Sequence, residues 1–334
     1  MLFNSIEFAL FLALVFVLYW FILDKNLRYQ NYFLLVASWV FYAWWDWKLL
    51  FLLIFISLLT YFTGNRIEQR RNTYFARRWM MFGIVANLGT LALFKYFNFF
   101  IDSFIGLISN FGYELPYSST RIVLPVGISF YIFLSLSYII DVFRHDLKAD
   151  NKISEVLLSV GFFPIILAGP IQRPATLLPQ ISNRRVFDYN LAIDGLRQFL
   201  WGLFAKIVIA DNISVYTDNI FNDYSTYSGS SLVLGATFYA VQIYADFSGY
   251  SNMAIGTAKI LGFRLMKNFE FPYFSRDIRE FWRKWHISLT TWFRDYVFLP
   301  LSASISAELK KDRVLFIRTD QYIYITASLV TWSL

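Results

Sequence analysis

Apolar runs long enough to cross a bilayer, joined by short polar segments, limit this chain more than any other feature. Phe8–Leu23, Leu49–Thr63, Trp79–Phe94, Leu124–Phe143 and Leu191–Ala210 are such runs, Tyr32–Ala43 is a shorter one, and Ser231–Phe263 exceeds what one crossing needs. About 20 apolar residues span the hydrocarbon core as a helix. Within lipid every backbone polar group must be satisfied internally, so a chain patterned this way folds into helices. Hydrophobic residues make up 57% of the 334 and charged residues 16%, against roughly 25% charged in a soluble domain. The expected architecture is therefore an all-α, polytopic membrane domain covering 1–334, with N-terminal spans over 1–121 and a core over 122–334.

The net charge of +7 does not point to nucleic acid. The basic residues fall in short loops between apolar runs, where the positive-inside rule places them. The segment 64–78 has five arginines against one glutamate and is expected to be cytoplasmic. Counting back through three spans puts the N-terminus outside. Residues 211–230 have three acidic groups and no basic one, as expected of an outer loop. Between these, 95–121 is expected on the outer surface, and Arg144, Lys148 and Lys152 mark another inner loop.

Ile153–Ala168, broken by Gly161 and Pro164, and Ile287–Leu301 have basic residues on both flanks and read as re-entrant or interfacial. Val314–Leu334 is a last candidate span. The total expected is roughly eight crossings. The first apolar run follows Glu7 and lacks a cleavage site, so it reads as a retained span. No cysteine is present, which excludes disulfides, thiolate metal sites and a cysteine nucleophile from these residues. The histidines are His145 and His286, and they form no HExxH pattern, so no metal site is expected.

Residues 242–301 break the apolar pattern. Asp246, Arg276, Asp277, Arg279, Glu280, Arg283, Lys284, His286, Arg294 and Asp295 sit there among Trp, Phe and Tyr. Ionisable groups at this density in a membrane protein mark a site unless they face only the membrane edge. His286 is the candidate catalytic base, since an imidazole titrating near neutrality can take a hydroxyl proton. Its bland alternative is a packed interfacial pair with Trp285. Arg279, Arg283 and Lys284 lie within two turns of it if the segment is one helix, and read either as a phosphate or oxyanion site or as positive-inside charge. Asp246 interrupts Ser231–Phe263, where Gly249 permits a break. It reads as the cap of a half-helix or as the partner of an imidazole or an arginine. Glu280, at i,i+4 from Arg276 and Lys284, and the Arg294–Asp295 pair read as structural. Ser129, Ser135 and Ser137 read as close-packing positions, and His145 as solvated.

Four stretches carry a resemblance: QIYADFSGYSNMAIG (242–256), NFEFPYFSRDIREFWRKWHISLTTWFRDYVFLPL (268–301), LPVGISFYIFLSLSYIIDVFR (124–144) and FFPIILAGPIQRP (162–174). In this order they resemble the membrane-bound O-acyltransferase family, and within it the bacterial alginate O-acetyltransferase-like branch, which is related to the D-alanyl transferases of teichoic acids. The resemblance implies an inner-membrane, multi-pass O-acetyltransferase acting on a cell-surface or exported polysaccharide. It implies His286 in a catalytic pore, and Asp246, Arg279, Arg283 and Lys284, read from the residues themselves, are the candidates for binding substrate or lining it. It implies no metal or redox cofactor, and an acyl thioester as donor, such as acyl-CoA or an acyl carrier. Membrane lipid, the polysaccharide acceptor and an extracytoplasmic acetyltransferase are its implied partners. The family's characteristic histidine lies in a GLWHG-like segment, and the chain ends at TWSL (331–334) ahead of one, so the expectation is a truncated chain, inactive alone. The rival classes are a transporter or channel, which broken helices with buried charge also fit, and a non-catalytic scaffold. Paired interruptions in two halves would mark a transporter, whereas the charged interruptions here cluster after residue 240.

Overall fold

The computed structural model describes residues 1–111, 121–150, 152–308, 313–314 and 317–318. It divides into two compact units, Met1–Leu265 and Met266–Leu334.

The first unit contains α1 (Ile6–Val17), α2 (Leu27–Ala43), α3 (Trp47–Gln69), α4 (Tyr74–Asn110), α5 (Ile128–Arg144), α6 (Ile153–Gly161), α7 (Phe163–Ile166), α8 (Pro174–Ser182), α9 (Tyr189–Phe204), α10 (Asp211–Asn222) and α11 (Gly229–Ile260). Several start where a short polar side chain meets an apolar run. Ser5, Asn26, Asp46, Asp188 and Ser228 each accept a backbone N–H of the first turn of α1, α2, α3, α9 and α11. By length and composition, Trp47–Gln69, Tyr74–Asn110 and the continuous Tyr189–Asn222 are able to cross a membrane, and Ile6–Ile22 and Ile153–Ile166 are shorter apolar helices.

Helices α3, α4 and α5 pack together through small residues. A Cβ on Gly64 would meet the Tyr138 ring at 2.5 Å, and one on Gly83 would meet Thr63 and Ile139 below 3 Å. Thr60 Oγ1 and Ser135 Oγ lie 2.6 Å apart, both fully buried. This is the close approach that the serines of 124–144 predict. His145, left-handed at the end of α5, is exposed, with Nε2 3.2 Å from Asn72 Oδ1.

The backbones of α9 and α11, which run antiparallel, approach closely. A Cβ on Gly256 would meet Gly195 O at 2.5 Å, and one on Gly249 would meet Gly202 O at 2.8 Å. Both glycine pairs are seven residues apart, the spacing that keeps one seam of a helix facing its partner. Polar pairs run beside this seam: Lys259 with Asp194 at 2.6 Å, Gln198 with Asn252 at 2.8 Å, and Lys206 with Asp246 at 2.6 Å. Helix α11 ends in a Schellman motif. Gly262 takes φ +83°, its N–H donates to Lys259 O, and Phe263 N–H donates to Ala258 O.

Arg185, 7% exposed, ties α1, α2 and α8 together. Its guanidinium donates to Tyr19 Oη, to Asn31 Oδ1 and to the Gln180 and Ile181 carbonyls, and it stacks 4.9 Å over Phe263. Backbone carbonyls, the Tyr19 and Asn31 side-chain oxygens and an aromatic face stabilise this buried charge.

Four expectations need correction. Residues up to Asn110 continue α4 as one 37-residue helix, where the sequence predicts a separate segment from Lys95 onward. The first half of 211–230 is helix α10, running on from α9 through a π-helical stretch. Gly249 does not break Ser231–Phe263, because α11 is unbroken over 32 residues and the glycine serves the contact with α9. The start of Val314–Leu334 pairs Arg313–Val314 with Ile317–Arg318 as a two-residue antiparallel ladder, not a helix. The remainder of that run, and 112–120, lie outside the described residues. As expected, Ile153–Ala168 is interrupted: Phe162 is extended between α6 and α7, and both short helices are buried.

Candidate functional site

The second unit contains the densest cluster of predicted site residues. A single 3₁₀ turn, Pro272–Phe274, leads into α12 (Ile278–Lys284), followed by α13 (Ile287–Phe293), a π-helical stretch Arg294–Phe298 and α14 (Leu299–Glu308). Asp277 caps α12, its Oδ1 accepting Glu280 N–H at 2.7 Å, while Glu280 Oε2 accepts Arg276 N–H at 2.9 Å. This reciprocal arrangement is close to a capping box.

His286 sits at the joint between α12 and α13. Trp285 is extended and His286 is left-handed at φ 42°, ψ 54°, so the chain turns sharply there. A left-handed backbone is uncommon for a residue with a Cβ and is a pointer to a constrained site. The His286 carbonyl accepts Leu289 and Thr290 N–H at 3.0 Å, closing the first turn of α13. Around the joint is an aromatic socket. Trp285 meets Phe269 edge-on at 5.1 Å and stacks on Phe281 at 5.6 Å, and the His286 ring lies parallel to Phe269 at 6.4 Å. Burial in this socket pushes the imidazole down from its ordinary value to about 4. His286 is therefore neutral and able to accept a proton at physiological pH, but it is less basic than the near-neutral imidazole expected from the sequence.

The segment before the socket holds it in place. Ile287 N–H donates to Asn268 O at 2.9 Å, Ser288 Oγ donates to Asn268 Oδ1 at 2.9 Å, and Glu270 N–H donates to Lys284 O at 3.0 Å.

Arg279, Arg283 and Lys284 do not share a helix with His286, because α12 ends at Lys284. Lys284 is held by Glu280 at 2.7 Å, and its ammonium keeps the Glu280 carboxyl below the usual range. Arg279 and Arg283 are exposed. Arg294 Nε lies 2.8 Å from Asp295 Oδ1, the expected structural pair.

Asp246 belongs to the first unit. It lies inside α11 rather than at a cap, and its partner is a lysine rather than an imidazole or an arginine. Lys206 Nζ lies 2.6 Å from Asp246 Oδ1 and 2.7 Å from Asp211 Oδ1, so one ammonium is shared by two carboxylates. The reason is local: Ala205–Ala210 is π-helical, which brings positions five apart onto one face. Neither Lys206 nor Asp211 stands out in the sequence, since i,i+5 is not a pairing distance in an α-helix. Asn268 and Ser288 also escape sequence reasoning. The one signal at Asn268 is a short polar residue immediately before the aromatic Phe269. Among the described residues no group of His, Asp and Glu is arranged to hold a metal ion.

Residues 152–316 match MBOAT, the membrane-bound O-acyltransferase family. They are an MBOAT domain. It includes the His286 joint, the α9–α11 pair and the Lys206–Asp246 contact, in a chain whose apolar helices make it a membrane protein. The chain is 41% identical over 319 residues to a probable alginate O-acetylase AlgI of Pseudomonas putida, covering 95% of this chain and 64% of that protein. It is 32% identical over 338 residues to a peptidoglycan O-acetyltransferase of Helicobacter pylori, covering 92% of this chain and 63% of that protein. It is 30% identical over 180 residues to a teichoic acid D-alanyltransferase of Bacillus subtilis, covering 52% and 45%. The chain thus spans less than two thirds of the length of these curated relatives.

Proposed function

We propose that the intact protein is a membrane O-acyltransferase that O-acetylates a cell-surface or exported polysaccharide, with His286 as its general base. The observation that carries this reading is the neutral imidazole, held in an aromatic socket at a left-handed joint inside the MBOAT match. In the reaction, a polymer hydroxyl attacks the carbonyl carbon of an acyl thioester. The imidazole takes the hydroxyl proton, the C–S bond breaks, and the thiolate leaves and is reprotonated. The thioester arrives activated, so the step as written needs no metal or redox group.

The relatives' acceptors, by name alginate, peptidoglycan and teichoic acid, support a polymeric acceptor at the cell envelope. In this reading the protein is a multi-pass protein of the bacterial inner membrane. It takes the acyl group from acyl-CoA or an acyl carrier on the cytoplasmic side and passes it outward, with an extracytoplasmic acetyltransferase as partner. Arg279 and Arg283, exposed on α12 beside the joint, are suited to the phosphates of such a donor. Lys284 and Asp246, each already held in an ion pair, contribute through positioning and the pore wall.

The test is His286→Ala in the intact protein, expressed in a host without its own acetyltransferase. Loss of a general base lowers rates by about 10²–10⁴-fold. Polymer-bound acetate should fall to background at normal membrane levels of the protein, and near-normal acetate would remove His286 from the mechanism.

A further inference from the structure

We propose that Asn268 is the positioning residue for His286, clamping the first turn of α13 through both of its carbonyl oxygens. The inference rests on the reading of His286 as the base. Asn268 is 1% exposed and Ser288 is fully buried. Three donors from the residues just after His286 converge on this asparagine. Ile287 N–H reaches its backbone oxygen at 2.9 Å, while Ser288 Oγ and Ser288 N–H reach its Oδ1 at 2.9 and 3.4 Å.

A second rung closes the other side of the joint, where Glu270 N–H donates to Lys284 O at 3.0 Å. The tripeptide 268–270 therefore straddles the turn, with Trp285 and His286 projecting between its two rungs. Phe269, between the rungs on the opposing segment, supplies the ring parallel to the imidazole at 6.4 Å. A left-handed backbone at a residue with a Cβ persists only where its surroundings over-determine it. Here the rungs on either side are what fix it.

The described charged groups near the turn pair with one another or lie on α12 or its approach. Lys267 pairs with Glu270 at 4.0 Å and Lys284 with Glu280 at 2.7 Å, the ionisable residues Arg276, Asp277, Arg279 and Arg283 belong to α12 and its approach, and α13 has no charged residue. The hydrogen bonds to one buried asparagine and the parallel Phe269 ring both act on the ring's placement. A serine or threonine in place of Asn268 would be too short to span the same gap.

The experiment uses the intact protein in membranes, with Asn268→Ala, Asn268→Asp, Ser288→Ala and His286→Gln. Polymer-bound acetate per unit of membrane protein is one readout. The other is imidazole titration followed by NMR of labelled histidine, with the His286 signal assigned by its loss in His286→Gln. Asn268→Ala should lower acetate about 10–100-fold, the effect of misplacing a catalytic group by about 1 Å. Its imidazole titration should move up toward the ordinary histidine range as the ring leaves the socket. Asn268→Asp keeps both acceptor oxygens and should recover most of the acetate. Normal acetate in a well-inserted Asn268→Ala protein, or an imidazole that titrates as in the wild type, would overturn the proposal. Should Asn268→Ala fail to accumulate, Ser288→Ala decides, since it removes one donor of the three. A few-fold loss with an upward shift supports the clamp, and no change in either readout refutes it. Full activity in His286→Gln would instead refute the base reading, and the titration arm would still test the clamp.

Discussion

At the scale of single residues, His286 shows what the sequence makes visible and what it hides. Its identity as the one histidine among clustered charges is legible from 242–301. Its left-handed backbone is not, because WRKWHIS contains no glycine or proline to mark a turn. No residue of 284–287 marks a helix end, yet α12 stops there, since the contacts that fix the turn come from Asn268, well back along the chain.

The lowered imidazole has a consequence for stability. The fold holds His286 at about 4, whereas an unfolded histidine titrates near 6.5. Between those values the unfolded chain takes a proton that the folded chain refuses. The stabilising contribution is therefore fully present above pH 6.5 and is lost as pH falls toward 4. His286→Gln lacks this proton linkage. In detergent, the gap in melting temperature between wild type and His286→Gln should shift against the wild type as pH is lowered from 7 to 4.5. Parallel curves across that range would mean that the imidazole is not shielded.

At the scale of elements, the α9–α11 pair is the part of the fold most dependent on sequence detail. Its glycines are plain in the sequence, but Gly249 reads there as a helix break. Glycine weakens a helix by propensity and equally allows two helices to touch, and only the partner decides between the roles. The seven-residue repeat on both helices of the pair is the signal that favours contact. The Lys206–Asp211 pairing stays hidden for another reason, because it depends on a local π-helical stretch that no composition rule announces. By contrast the caps Asp46 and Asp188 sit where an apolar run begins, a position where the sequence marks a helix start.

Gly202→Leu should wedge the pair apart, since even a Cβ would collide with Gly249 O. The expected destabilisation is at least the roughly 1–3 kcal/mol of an overpacked core. Gly89→Leu, in α4 where a Cβ meets nothing within 4 Å, is the matched control. It should be neutral or slightly stabilising, since glycine in a helix costs about 1 kcal/mol relative to alanine. Thermal unfolding in detergent compares the two. Equal melting temperatures would mean that the seam is looser than its glycines indicate.

At the scale of the whole molecule, membrane class and helical fold follow from the apolar runs, while the paths between them do not. Expected surface and loop segments at 95–110 and 211–222 are helices, because polarity and charge describe a segment's surroundings and not where its backbone stops coiling. Orientation rests on charge asymmetry, which these helices leave intact. Residues 64–78, from the last turns of α3 to the first turn of α4, carry Arg66, Arg70, Arg71, Arg77 and Arg78, with Arg70 over the Phe75 ring at 5.1 Å and Arg78 over the Tyr74 ring at 5.8 Å. The stretch from α10 to α11 carries Asp211, Asp218 and Asp223 and no basic residue. From the positive-inside rule we predict the first in the cytoplasm and the second outside.

Single cysteines test this in an intact protein with no other cysteine. Tyr74, 72% exposed at the start of α4, suits the inner probe better than Asn72, whose φ of 59° resists substitution by cysteine. Ser225, exposed in the turn before α11, is the outer probe. An impermeant thiol reagent on whole cells should label Ser225→Cys and leave Tyr74→Cys untouched until the membrane is permeabilised. Labelling of Tyr74→Cys in intact cells, with Ser225→Cys protected, would invert the orientation. Donor entry and acceptor exit would then have to be exchanged in the proposed reaction.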